Sequence, residues 1–175
     1  DFAQMQKLAG LIEKEFGHLD GVLHNAAILG ALTPLEMYDP ITFEQVMQVN
    51  MTAVFMLTQS LIPLLRAAQS GSVVFTSSSV GARPRAFWGA YALSKQAVEG
   101  MATIFTQETQ NMTALRFNCI NPGATRTNMR AHAFPGEDPY TLKTPEDIMP
   151  VYVYLMTDEA SGIKGQVIDC QLKNA

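Results

Sequence analysis

Tyr91 and Lys95 stand four residues apart in the stretch YALSK, so on a helix they share one face and can touch. A tyrosine phenol, with an ordinary pKa near 10, transfers protons poorly at neutral pH. Bringing it near 7 takes about 4 kcal/mol of preferential support for the phenolate. An ammonium about 4 Å away, at an effective dielectric of about 20, supplies energy of that order. Lys95, one turn along, is placed to do so. A hydroxyl such as Ser78, in TSSS (residues 76–79), then holds a carbonyl or alcohol oxygen within reach of the phenol. Ser77 and Ser79 flank it as alternatives. The chemistry is proton transfer at an oxygen, the partner step of hydride transfer at the attached carbon. Spacing alone fits a surface pair equally well, so the surroundings decide.

The elements that must position these residues read as follows. Phe2, Met5, Leu8, Ile12 and Phe16 recur at helical spacing until Gly17 stops them. A short strand at about 21–25 precedes a long helix at about 42–68. TFEQ offers that helix a capping box, with Thr42 as N-cap and Gln45 at the third position. Val46, Val49, Ala53, Leu57, Leu61 and Leu64 form its buried stripe, and Pro63 should kink it. A strand at 72–77, a helix at 89–110 and a strand at 114–120 follow. Thr144 then caps a helix with Pro145 at its first position, and 165–171 closes as a strand. Apolar strands alternating with helices predict an α/β fold, with a parallel sheet covered on both faces. There is no repeat or linker, so residues 1–175 read as a single domain.

Ligands of open parallel sheets bind outside the carboxyl ends of the strands. The strands here run out into HNAA (24–27), TSSSVG (76–81) and NPGATRT (121–127). They deliver Asn25, Ser78 and the Pro122-Gly123 turn to one edge, beside the start of the helix bearing Tyr91 and Lys95.

Together these residues resemble the short-chain dehydrogenases/reductases. Ser78 thirteen positions before Tyr91, and Lys95 four after it, match that family's Ser, Tyr and Lys spacing. VNMTAVF places Asn50 where the family keeps an asparagine that helps hold a proton-relay water; the bland alternative is a buried helix asparagine bonding backbone groups. HNAA, with Asn25 and Ala26, resembles the Asn-Asn-Ala-Gly segment near the adenosine half of the cofactor. NPGATRT resembles the Pro-Gly-x-x-x-Thr segment, in which the turn at Pro122 and Gly123 and the hydroxyl of Thr127 meet the nicotinamide carboxamide. His24, Ala27 and Leu93 depart from the usual residues of these motifs.

The resemblance implies a Rossmann-like, doubly wound parallel sheet in three α/β/α layers. It implies NAD or NADP as cofactor and a small carbonyl or alcohol substrate. Tyr91 would be the general acid/base, and Lys95 would lower its pKa and hold the ribose. It also implies a homo-oligomer through helices 42–68 and 89–110, with Met51, Phe55, Met101 and Phe105 on the exposed faces. The chain aligns with the back two-thirds of such an enzyme, most like an uncharacterised bacterial oxidoreductase branch. The first βαβ unit, with its Gly-rich turn and the residue that selects NAD or NADP, is not among the 175 residues. The chain begins at Asp1 in what reads as mid-helix, so it is expected to be the back part of a longer protein. Two other readings stand beside the oxidoreductase: a non-catalytic fragment acting in assembly or binding, and a dehydratase or epimerase built on the same triad.

Net charge is −4, from 12 basic and 16 acidic residues with no Lys/Arg run, which argues against a nucleic-acid partner. No Cys/His cluster suggests a metal. Cys119 and Cys170 lie in apolar strand-like runs, as free thiols do in a reducing cytoplasm. Apolar runs fall short of the roughly 20 residues of a bilayer span, and no secretory leader is visible. Arg83, Arg85, Phe87 and Trp88 read either as a substrate-pocket wall or as a solvated loop. Residues 129–140 read as a mobile segment over the cleft, with His132 a loop residue.

Overall fold

β2 (Ser72–Thr76) and β3 (Arg116–Asn121) form the middle of a parallel sheet with β1 (Gly21–His24) and β4 (Val167–Asp169) outside them, in the order β1-β2-β3-β4. The structure, a computed structural model, describes residues 1–109, 111 and 114–171. The central strands are apolar without alternation because helices cover both faces. Val73, Phe75, Phe117 and Cys119 point into one layer, formed by α1 (Phe2–Phe16), α3 (Ala53–Ala67) and α5 (Gly89–Thr109). Val74 and Ile120 point into the other, against Ile148 and Leu155 of α7 (Pro145–Met156). Phe75 is fully buried, 5.2 Å from the His24 ring on one side and 6.5 Å from Phe117 on the other. Burying one such ring is worth about 1.5–3 kcal/mol.

α2 (Pro40–Met47) begins two residues before the expected start. Its N-cap is Asp39, not Thr42: the Asp39 carboxylate accepts from Thr42 N at 2.8 Å and from Thr42 Oγ1 at 2.7 Å. A carboxylate there also meets the positive end of the helix dipole, and Pro40 takes the first helical position. The end of α7 behaves as expected, with a full capping box between Thr144 and Asp147.

One wide π-turn, Gln48–Thr52, joins α2 to α3. Val46, Asn50, Val54 and Thr58 are buried, whereas Val49, expected in the buried stripe, is 37% exposed. Each step of four drifts about 40° around an ordinary α-helix. The extra residue of the wide turn absorbs that drift and keeps this row facing inward, with Val46 against Tyr38 and Ala90 of α5 and Val54 in the cluster under the sheet. α3 continues through Pro63, whose ring is exposed, to Ala67. The helical run Pro40–Ala67 has 28 residues and is long and apolar enough, by length and composition, to cross a membrane. That departs from the short apolar runs read in the sequence; Val54, Leu61, Leu64 and Leu65 are nonetheless spent on the sheet and on α1.

Three further departures bear on function. β4 covers three residues rather than seven. Residues 129–140 contain most of α6 (Asn128–Ala133) and a 3₁₀ turn, with Thr127 as N-cap and an Arg130–Glu137 ion pair. Phe105 faces the sheet, 4.8 Å from Phe117, and Ile104 takes the outward position at 56% exposure. Phe55 is exposed as expected, while Met51 and Met101 are half-buried.

Candidate active site

A cleft of about 510 Å³ opens at the carboxyl ends of β1, β2 and β3. Of the residues singled out from sequence, Asn25, Ala26, Ser78, Tyr91 and Lys95 line it, as do Pro122, Gly123 and Thr127. Asn50 and His132 do not.

β2 ends in three serines with three different environments. Ser77 is buried, its N–H donating to Ile120 O and its hydroxyl to Glu99 on α5. A side chain at Gly81 would press on both, which is why α4 (Ser79–Ala82) can lie so close to α5 there. Ser79 is exposed and takes only a long 3.5 Å contact from Arg85. Ser78, extended at φ −163° as the residue before α4, is the hydroxyl close enough to the Tyr91 phenol to lower its pKa.

Tyr91 and Lys95 project from successive turns of α5 and are 8% and 3% exposed. Burial raises the Tyr91 pKa above 10, against a smaller lowering by the nearby Ser78 hydroxyl, so the side chain is a phenol. Lys95 Nζ donates to Thr76 O at 2.6 Å and lies 5.5 Å from the centre of the Tyr91 ring. Burial brings its pKa down to about 8. The ammonium expected from the sequence to support the phenolate is thus tied to a backbone oxygen as well. The Cys119 thiol beneath it is pushed up to about 12, chiefly by burial, and carries no charge at neutral pH.

Asn50 lies behind the cleft rather than in its lining. It is 1% exposed, and its amide donates to Ile28 O at 2.9 Å and Ser94 Oγ at 3.1 Å while its oxygen accepts from Ile28 N at 2.8 Å. Backbone bonding, the bland alternative, is what its side chain does. It clamps the loop after β1 to α5, because Ser94 Oγ in turn donates to Tyr91 O at 2.8 Å.

Asn25 accepts from Thr76 Oγ1 at 3.0 Å, so Thr76 serves both strand ends. Gly123 holds φ +73°, where a Cβ would touch the Gln171 side chain. Gln171 Nε2 donates to Pro122 O and Ala124 O, both at 2.9 Å, and fixes that turn. His24 stacks on Phe75 and bonds Thr58 Oγ1 at 2.9 Å; burial lowers its pKa to about 4. Sequence reasoning missed Thr76, Phe134, Arg130 and Tyr152 in the lining. Tyr152 lies at helical spacing with Ile148 and Leu155, the pattern of core, and nothing in that pattern marks a cleft.

A parallel three-layer sheet with its cleft at the strand carboxyl ends, and a Ser–Tyr–Lys group on its floor, defines the Rossmann-like class. Residues 1–138 match the short chain dehydrogenase family, and the chain belongs to it. It is 55% identical over 166 residues to the uncharacterized oxidoreductase YciK of Escherichia coli, covering 95% of this chain and 65% of that protein's length. The chain therefore spans slightly under two thirds of that relative. It is 29% identical to a 3alpha-hydroxysteroid dehydrogenase of Mediterraneibacter gnavus, covering 96% of this chain and 70% of that one. A short chain dehydrogenase structure from Escherichia coli, solved in complex with NADPH, superposes with a TM-score of 0.95 at 53% identity, over 98% of this chain and 71% of that one.

Proposed function

We propose that the protein transfers hydride between a nicotinamide dinucleotide and a small carbonyl or alcohol substrate. The observation that carries this is that Ser78, Tyr91 and buried Lys95 meet on the floor of one cleft at the strand carboxyl ends. The NADPH complex of the related structure favours NADPH as the form to test first. The residues fit the nicotinamide end of such a cofactor. The positive-φ turn at Gly123 presents bare backbone to the cleft, and Thr127 adds a hydroxyl beside it.

When bound, the cofactor supplies the hydride. Ser78 holds the substrate oxygen, and Tyr91 donates its proton to that oxygen as the carbon is reduced. A phenol kept neutral by burial suits a donor in this direction. Lys95 steadies the phenolate as it forms and holds the ribose, its own position fixed by Thr76 O. Asn50 acts through Ser94 and Ile28, keeping α5 and the Leu29 loop in register. Pro122, Gly123 and Thr127 would hold the carboxamide end, and Asn25 and Ala26 the adenosine side. The 175 residues work as one layered unit, in the cytoplasm, where both thiols stay reduced. Two copies pair through the outer faces of α2–α3 and α5, which sedimentation at micromolar concentration tests: a monomer rejects the pairing.

The deciding experiment is Tyr91→Phe in the full-length protein with NADPH and a ketone panel. Carbonyl reduction should fall below a tenth of wild type while NADPH binding stays within about twofold. Retention of more than a tenth of the rate overturns the assignment.

A further inference from the structure

We infer that the cleft takes an uncharged, ring-bearing ketone or alcohol, held against Trp88 and Phe134. This names the substrate class of the site proposed above and rests on that reading.

Charge comes first. Lys95 and Arg130 are the charged side chains among the described residues lining the cleft. Lys95 is tied to Thr76 O. Arg130 gives Nε and Nη2 to the two carboxylate oxygens of Glu137, both at 2.6 Å, and its guanidinium lies 3.7 Å from the Phe134 ring centre. A substrate carboxylate or phosphate would meet a guanidinium already neutralised by Glu137 and an ammonium already shared with Thr76 O. A substrate ammonium would find no carboxylate in the lining.

The walls around Tyr91 are apolar. Its ring packs in one cluster with Leu29 and Val80, and Trp88, Met129 and Ala133 lie against that cluster. Trp88 is 5.9 Å from the Tyr91 ring and 5.8 Å from Phe134, tilted 40° to the latter. The two rings form a wedge, a surface that favours an offset or edge-on ring over an extended polyol.

The backbone is strained to produce this wall. Phe87 is the sole non-glycine residue at positive φ, +73°, among the described residues. Its carbonyl accepts from Thr33 N at 3.1 Å, which holds the turn. Phe87 is 58% exposed while the next residue, Trp88, turns in to Tyr91 and Phe134. A bulky residue in that conformation marks a position fixed by use at a site more often than by packing.

Trp88 is the single tryptophan of the sequence, so it reports binding without turnover. The full-length protein, loaded with NADPH, is titrated with 2-decalone and separately with 2-oxoglutarate while tryptophan emission is followed. Trp88→Phe serves to identify the share of the signal that is Trp88's. A saturable change with 2-decalone, at least about tenfold tighter than with 2-oxoglutarate, is expected. Phe134→Ala should weaken 2-decalone about tenfold and Phe134→Tyr by no more than about threefold. Equal or tighter binding of 2-oxoglutarate, or no response to 2-decalone, overturns the inference; the wild-type comparison decides even if Phe134→Ala fails to fold. Binding of 2-decalone without NADPH-dependent reduction of any ketone supports this inference and counts against the hydride-transfer reading alone.

Discussion

Lys95 Nζ and the backbone oxygen of Thr76 meet at 2.6 Å, at the point where β2 leaves the sheet. A buried ammonium is thereby held by an atom that no side-chain substitution can remove. The lysine is fixed in place, and burial still brings its pKa down to about 8. Tyr91, raised above 10, stays protonated through that range.

The pH profile of carbonyl reduction should therefore carry the lysine's signature. kcat/KM reports groups of the free enzyme. It is expected to fall about tenfold per unit above pH 8 as Lys95 loses its charge, well before Tyr91 titrates. The same lowered value has a stability consequence of the opposite sense. The unfolded chain binds more protons than the folded one between about 8 and the ordinary lysine value of 10.5, so stability should rise with pH across that window. A rate that stays flat to pH 10 would reject Lys95 as the titrating group.

The three serines at the end of β2 make a controlled comparison. Ser78→Ala should lower kcat for ketone reduction on the order of a hundredfold, because the hydroxyl that faces Tyr91 is lost. Ser79→Ala, altering an exposed residue, should stay within about twofold. Steady-state kinetics on the pair would show a role for the wrong serine if the order were reversed.

His24 should make the fold acid-labile. Its folded pKa of about 4 lies below the ordinary 6.5, so the unfolded chain takes up a proton that the folded one refuses between these values. Up to about 3 kcal/mol of stability is then lost as pH falls from 6.5 to 4. Thermal melts of wild type and His24→Asn at pH 7 and pH 5 check this. The wild type should lose more between the two pH values than the variant does.

Asn50→Ala should cost about 3 kcal/mol in urea unfolding, because the N–H and C=O of Ile28 lose their partner inside the protein. A loss below about 1 kcal/mol would mean that water replaces the amide at little cost.

Much of this architecture was legible because both-face burial writes itself as unbroken apolar strands, as in SVVF and RFNCI. The Ser78, Tyr91 and Lys95 spacing was legible because one helix and one strand end fix it. The partner of Lys95 was not, since a carbonyl belongs to every residue alike and carries no letter. Asp39 displaced Thr42 as the cap because a carboxylate directly before a proline-started turn bonds both groups of Thr42. α6 escaped notice inside a Gly- and Pro-containing stretch because its start rests on one Thr127 hydroxyl and the ion pair of two residues seven apart. From sequence alone Trp88 reads either as a pocket wall or as part of a solvated loop. Its inward turn depends on the left-handed backbone of Phe87, which a bulky aromatic does not advertise.

The wide turn at Gln48–Thr52 acts as a phase adjuster within one continuous rod. Asn50 and Thr58, the two polar residues that reach Ile28, Ser94 and His24, keep a common direction through that single surplus residue. Length in this helix is therefore as constrained as identity. Losing one residue there would swing Asn50 by about 100° relative to the segment that follows. It would uncouple α5 from the Leu29 loop while leaving every side chain of the cleft unchanged. Among family members, a gap at this point in an alignment is thus a stronger sign of altered function than most substitutions around Tyr91.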